Sequence, residues 1–163
     1  MSLSSTGGAG RGSQSGSIIG DVINHGKKHL WGKRGTHYHH GMMAGENTLN
    51  AVCARVLIRS ITGNGGKYSK SKWLENYVSF MTTPGSHNDT YAETYHRIFF
   101  QNWSKGTSLE MCAGDDSHNV ETVGGLVGIP PVVLASAHAA QRTAEDIAVK
   151  HQLTTHRSNN LSR

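Results

Sequence analysis

The 163-residue chain has only 3 prolines and 2 cysteines, and its hydrophobic fraction is a modest 36%. Two cysteines are too few for a disulfide framework. Cys53 falls on the apolar side of an expected helix and Cys112 in a polar loop, so no thiolate metal site is indicated and a reducing, cytoplasmic setting is the default. No apolar run is long enough to span a membrane, and the N-terminus lacks the basic-then-apolar order of a secretion signal. Alternating apolar and polar residues between hairpin turns are also missing, which argues against β-structure. The fold class expected is therefore all-α, a multi-helix orthogonal bundle with long loops.

Glycine (20) and histidine (11) are abundant instead. The formal charge of +5 would admit a polyanion. The basic residues are nevertheless scattered, with Lys27-Lys28, Lys33-Arg34 and Lys70 to Lys72 as the only small clusters. That distribution does not read as a nucleic-acid binder and supports only a mild attraction for phosphate-bearing ligands. The length suits one domain with a core of its own. Residues 1–16 are Ser/Gly-rich and nearly without large apolar side chains, so they are expected to be a disordered tail. Residues 17–163 are expected to form the domain.

Along the domain, Ile18, Ile19, Val22 and Ile23 have helical spacing, and Gly26 would end a helix begun near Ser17. Residues 30–45 read as a long loop. It carries His37, His39 and His40, a weak metal signal without a distant third element. The clearest helix runs from Thr48 to Ile61, with Leu49, Val52, Cys53, Val56 and Leu57 as its stripe and Asn47 or Thr48 as its cap. Ser71 to Thr83 is the next, built on Trp73, Leu74, Tyr77, Val78 and Met81. Val120 to Ile129 suits a buried helix, interrupted by Pro130-Pro131 and followed by an Ala-rich helix to about Ala140. Thr143 would cap a helix to Leu153, and Thr154 onward could open another.

The densest chemistry lies in Pro84 to Arg97, P-G-S-H-N-D-T-Y-A-E-T-Y-H-R. Pro84-Gly85 reverses the chain. Thr90 and Glu93 have the spacing of a capping box, and Asp89 suits the positive end of a helix dipole. In that helix Tyr91, Tyr95, Ile98, Phe99 and Asn102 face the core. Asp89, Glu93 and His96 form a second stripe above Phe100. That stripe is either a solvated face or a site able to hold a hard cation, orient a water or bond ribose hydroxyls. His87 and Asn88, just before the helix, would offer backbone N–H groups to an anion such as pyrophosphate. Asp115, Asp116, His118 and Asn119 are either turn formers or part of the same polar site.

Four stretches in order, from about Ile18 to the C-terminus, resemble the ADP-ribosylglycohydrolase superfamily, which includes the J-type crystallins. They are the Gly20-Asp21 segment, H-H-G-M-M-A-G-E-N-T-L-N-A-V-C-A-R-V-L, G-G-L-V-G-I-P-P-V-V-L-A, and L-T-T-H-R-S-N-N-L. The resemblance implies an all-α domain that binds ADP-ribose or an ADP-ribosylated substrate beside two Mg²⁺ ions and hydrolyses a ribosyl glycosidic bond. It places Thr48 and Asn50 among the metal ligands; beside it, the reading of the residues takes Asp89 and Glu93 as catalytic carboxylates and Glu46, Thr48, His87, Asn88, His118 and Asn119 as lining the ligand cleft. Leu49 and Asn50 stand where the family has two metal-binding aspartates. The family's second acidic motif has no counterpart after His156, so the chain is expected to be a partial or reduced member. Glu46, Asp89 and Glu93 would be a substitute cation site. The alternative is a non-catalytic ADP-ribose-binding or structural, crystallin-like protein. Exposed apolar helix faces would pair two copies.

Overall fold

The computed structural model describes residues 18–33, 35–114, 122–158, 160 and 161. Among them are five α-helices and no strand: α1 (Leu49–Gly63), α2 (Lys70–Thr82), α3 (Thr94–Ser104), α4 (Ile129–Ala135) and α5 (Gln141–Gln152). The all-α expectation therefore holds, and among the described residues no helix is long and apolar enough to cross a membrane. The expected tail at residues 1–16, together with Asp115, Asp116, His118 and Asn119, lies outside the described residues.

Helices α1 and α2 form where their spacing predicts. Leu49, Cys53, Leu57 and Ile61 recur at three or four residues and are buried on α1. Trp73, Leu74, Tyr77 and Met81 are their counterparts on α2, whose cap Ser69 accepts from the Lys72 N–H. The two helices pack on each other, α4 packs on α1 and α5, and Phe99 and Phe100 of α3 complete the core.

Elsewhere the chain departs from its periodicity. Residues 18–26 form turns, not a helix, followed by a 3₁₀ turn at Lys28–Leu30. The cause is local: Gly20 takes φ +90° with Lys28 Cβ only 2.5 Å from where a Cβ would lie, and Asn24 takes φ +50°. Ile19 and Ile23 are still buried, so the apolar signal reported burial and not helix. Helix α3 starts at Thr94, and no capping box forms. Thr90 donates to the His40 carbonyl at 2.7 Å, and the Glu93 side chain turns to Asn50 and Thr122. Among the described residues of the expected Val120–Ile129 helix there is a 3₁₀ turn, Val123–Leu126, and α4 begins only at Ile129. Pro130-Pro131 does not interrupt a helix but opens α4, where the missing N–H groups cost nothing. That helix stops at Ala135 rather than Ala140, and α5 starts two residues before Thr143, with no side-chain cap. Thr154 opens no further helix and donates to the His151 carbonyl. Cys112 is fully buried despite its polar neighbours, its thiol directed to the Thr107 and Ser108 carbonyls.

Candidate functional site

Asp89 is 2% exposed and does not sit on a helix. Its Oδ2 accepts from the Leu49 N–H at 2.8 Å, so it caps α1 from 40 residues away while Thr48, the formal cap, makes no side-chain cap bond. Its Oδ1 accepts from His39 Nδ1 at 2.9 Å and from the Tyr91 N–H at 3.1 Å. A carboxylate can only accept, so His39 carries its proton on Nδ1. One buried acid thus ties the histidine loop, the start of α1 and the segment before α3 together.

Glu93 heads a second network. Its Oε1 accepts from Asn50 Nδ2 and its Oε2 from the Thr122 hydroxyl at 3.1 Å. That fixes the Asn50 amide with Oδ1 turned inward, where it accepts from Tyr95 OH at 2.9 Å and His96 Nε2 at 3.2 Å. His96 Nδ1 in turn accepts from Tyr77 OH. Burial drives the His96 pKa well below its ordinary value and the Tyr77 and Tyr95 values well above theirs, so all three stay neutral at pH 7. The stripe is buried at Asp89 and His96, which rules out the first of its two readings there, a solvated face. Gly124 makes room for it, since a Cβ there would stand 2.7 Å and 2.8 Å from the two Glu93 oxygens.

Asp89, Glu93, Thr48 and Asn50 line one cavity of about 200 Å³ with Tyr38, His39, Leu49 and Tyr91. Tyr91 stacks on Tyr38 at 4.5 Å and on Trp31 at 5.8 Å, and Arg97 lies over the Trp31 ring. Burial is the main cause that raises the Tyr91 pKa and keeps its hydroxyl protonated. Neither a family model, nor a curated protein, nor a solved structure matches the chain. The site therefore rests on its geometry.

The other expected site residues lie apart from this cavity. His87 and Asn88 line a separate one that Asp89 also borders. Glu46 stands at the surface, where its Oε2 accepts from the Met43 N–H at 2.8 Å and from Asn88 Nδ2 at 3.0 Å. The Met43 bond is the main cause that lowers its pKa. His118 and Asn119 lie outside the described residues. Glu46 does not join Asp89 and Glu93, and no cluster of three His, Cys, Asp or Glu suited to a metal occurs among the described residues. That includes His37, His39 and His40: His37 Nδ1 accepts from the His39 N–H, His39 Nδ1 bonds to Asp89, and the three belong to no such cluster.

The donor set does not fit a dinuclear magnesium centre. Leu49 is buried in the core, Asn50 Oδ1 already accepts twice, and both Asp89 oxygens accept from N–H groups. Mg²⁺ demands near-octahedral oxygen ligation that this arrangement does not supply. Sequence reasoning missed Tyr38, Tyr91 and the part His39 plays in holding Asp89. It also assigned Tyr95 to the core without its hydroxyl's bond to Asn50. Only the clustering of polar and aromatic residues hinted at them.

Proposed function

We propose that this chain is a non-catalytic binder of ADP-ribose or an ADP-ribosylated substrate, a reduced relative of the ADP-ribosylglycohydrolases that seats the ribosyl group in the Asp89–Glu93 cavity. The observation that carries this reading is the convergence of Thr48, Asn50, Asp89 and Glu93 beside the Tyr38–Tyr91 stack. Each Glu93 oxygen accepts one protein hydrogen bond and keeps a lone pair for a ribose hydroxyl. Tyr91 adds an aromatic wall and a neutral phenol. At about 200 Å³ the cavity is smaller than the ~300–1,000 Å³ of typical ligand pockets, which suits a ribosyl unit with the rest of the nucleotide outside. The chain's excess of basic residues favours the diphosphate.

Calorimetric titration with ADP-ribose, with and without millimolar Mg²⁺, tests the reading. Binding should be indifferent to Mg²⁺, unaccompanied by ribose release, and weakened about tenfold by Tyr91→Ala and by Glu93→Gln. Absence of binding defeats the proposal. Binding that needs Mg²⁺ and leads to turnover replaces it with the hydrolase reading.

A further inference from the structure

Between α1 and α2 runs a groove of about 330 Å³, larger than the Asp89–Glu93 cavity and within the ~300–1,000 Å³ of typical ligand pockets. Half-buried Val56 and Phe80 form its apolar part, and Arg59 is the only charged residue that lines it. The exposed Arg59 guanidinium makes no hydrogen bond or ion pair with the described residues. Its own helix does not answer the charge either. Helix α1 carries no acid, its other charge is the unpaired Arg55 one turn earlier, and Arg59 stands before the last turn, where the helix dipole would favour a cation. Glu75, the single acid of α2, is not part of the wall. Hydrogen-bond donors accompany the charge. Ser60 Oγ accepts from Asn76 Nδ2 at 3.0 Å, which leaves the Ser60 O–H and the second Asn76 N–H to donate. The Ser79 and Ser86 hydroxyls are likewise unengaged among the described residues, whereas the Thr83 hydroxyl is spent on the Ser79 carbonyl at 2.6 Å.

We infer that this groove is a binding site for a small organic oxyanion, a carboxylate or phosphate monoester whose apolar body lies against Val56 and Phe80. A guanidinium presents its N–H groups as a planar fork that matches two oxygens of either group, and hydrogen bonds between ionised partners are stronger than neutral ones. The Ser60, Ser79 and Ser86 hydroxyls can turn their protons toward the same charge. An anion also relieves the repulsion between Arg55 and Arg59, which no acid on α1 offsets. A cation would meet the guanidinium with no carboxylate in the wall to balance it, and a neutral ligand would leave the charge unanswered. The groove shares no wall residue with the Asp89–Glu93 cavity, so the inference does not rest on the ADP-ribose reading.

Titration of the full chain followed by proton–nitrogen correlation NMR tests the site. Benzoate and phenyl phosphate are the probes, benzyl alcohol and benzylamine the neutral and cationic comparators, and inorganic phosphate the oxyanion without an apolar body. Both aromatic anions should bind, with shifts at the Asn76 side-chain amide and the Arg59 Nε–H, more tightly than phosphate and than either comparator. Arg59→Gln should weaken them about tenfold, and Arg59→Lys less, because the charge stays while the fork is lost. Arg59 is exposed, so neither variant endangers the fold. Tyr91→Ala, in the other cavity, should change nothing, so the two ligand assignments stand or fall separately. The inference is overturned if neither anion binds, if benzyl alcohol or benzylamine binds as well as benzoate, if inorganic phosphate binds as tightly as phenyl phosphate, or if Arg59→Gln leaves the affinity unchanged.

Discussion

Asp89 shows how much a single side chain can organise when its partners are distant in sequence. Its three N–H donors come from His39, Leu49 and Tyr91. Hydrogen bonds to an ionised, buried group are worth more than neutral ones because the charge is poorly solvated otherwise. Asp89→Asn turns one acceptor into a donor facing another donor, and should destabilise the fold by about 2–3 kcal/mol, read as a lower urea midpoint. A change within about 0.5 kcal/mol would show that the α1 cap is not carried by this residue.

Among the elements, the glycines of the 122–128 segment matter for closeness and not for unusual backbone. Gly128 has ordinary dihedrals, φ −82° and ψ −11°, yet a Cβ there would lie 2.5 Å from His151 Nε2 and 3.5 Å from Leu57. His151 cannot give way, since its ring is held by Tyr68 OH at 3.1 Å and packs on Trp73. Gly128→Ala should therefore cost about 1–3 kcal/mol by overpacking where α4 meets α1 and α5. Adding His151→Ala should recover part of that loss, a non-additivity that a double-mutant cycle measures. The helices themselves were legible because α1 and α2 repeat apolar residues at three and four. Residues 18–26 were not, because Ile18, Ile19, Val22 and Ile23 are spaced equally well for a helix and for turns that bury the same side chains. Only the left-handed Gly20 and Asn24 decide between them.

Across the whole molecule, the imidazoles of His96, His151 and His156 surround a cavity of about 40 Å³ beneath Asn50. Burial lowers the pKa of His151 and of His156 to about 4 and that of His96 well below its ordinary value. The unfolded chain titrates these groups near pH 6.5, so between about 4 and 6.5 the unfolded state binds more protons and stability rises with pH. Stability should be full above pH 6.5 and fall as the pH is lowered, by on the order of 3 kcal/mol each for His151 and His156 at pH 4. Denaturant midpoints across pH 4 to 7.5 check this. A flat profile, or one restored only below pH 5, would contradict it, and His156→Gln should flatten it in part.

The sequence by itself determined that the chain is helical, where α1 and α2 run and most of the residues they bury, because those features depend on contacts within a few turns. Val52, Val56 and Val78 are nonetheless only half-buried, and Ile61 joins the core. The sequence also singled out Asp89 and Glu93 by the density of polar chemistry around them, while Thr48 and Asn50 entered as site residues through the family resemblance. Tertiary structure alone decided what they do. It took Asp89 from its own helix to cap α1, set Asn50 between Glu93 and His96, and divided His87 and Asn88 from the first cavity. The first two of these depend on groups tens of residues apart being brought within hydrogen-bonding distance, and contacts of that sequence separation leave no period in the sequence.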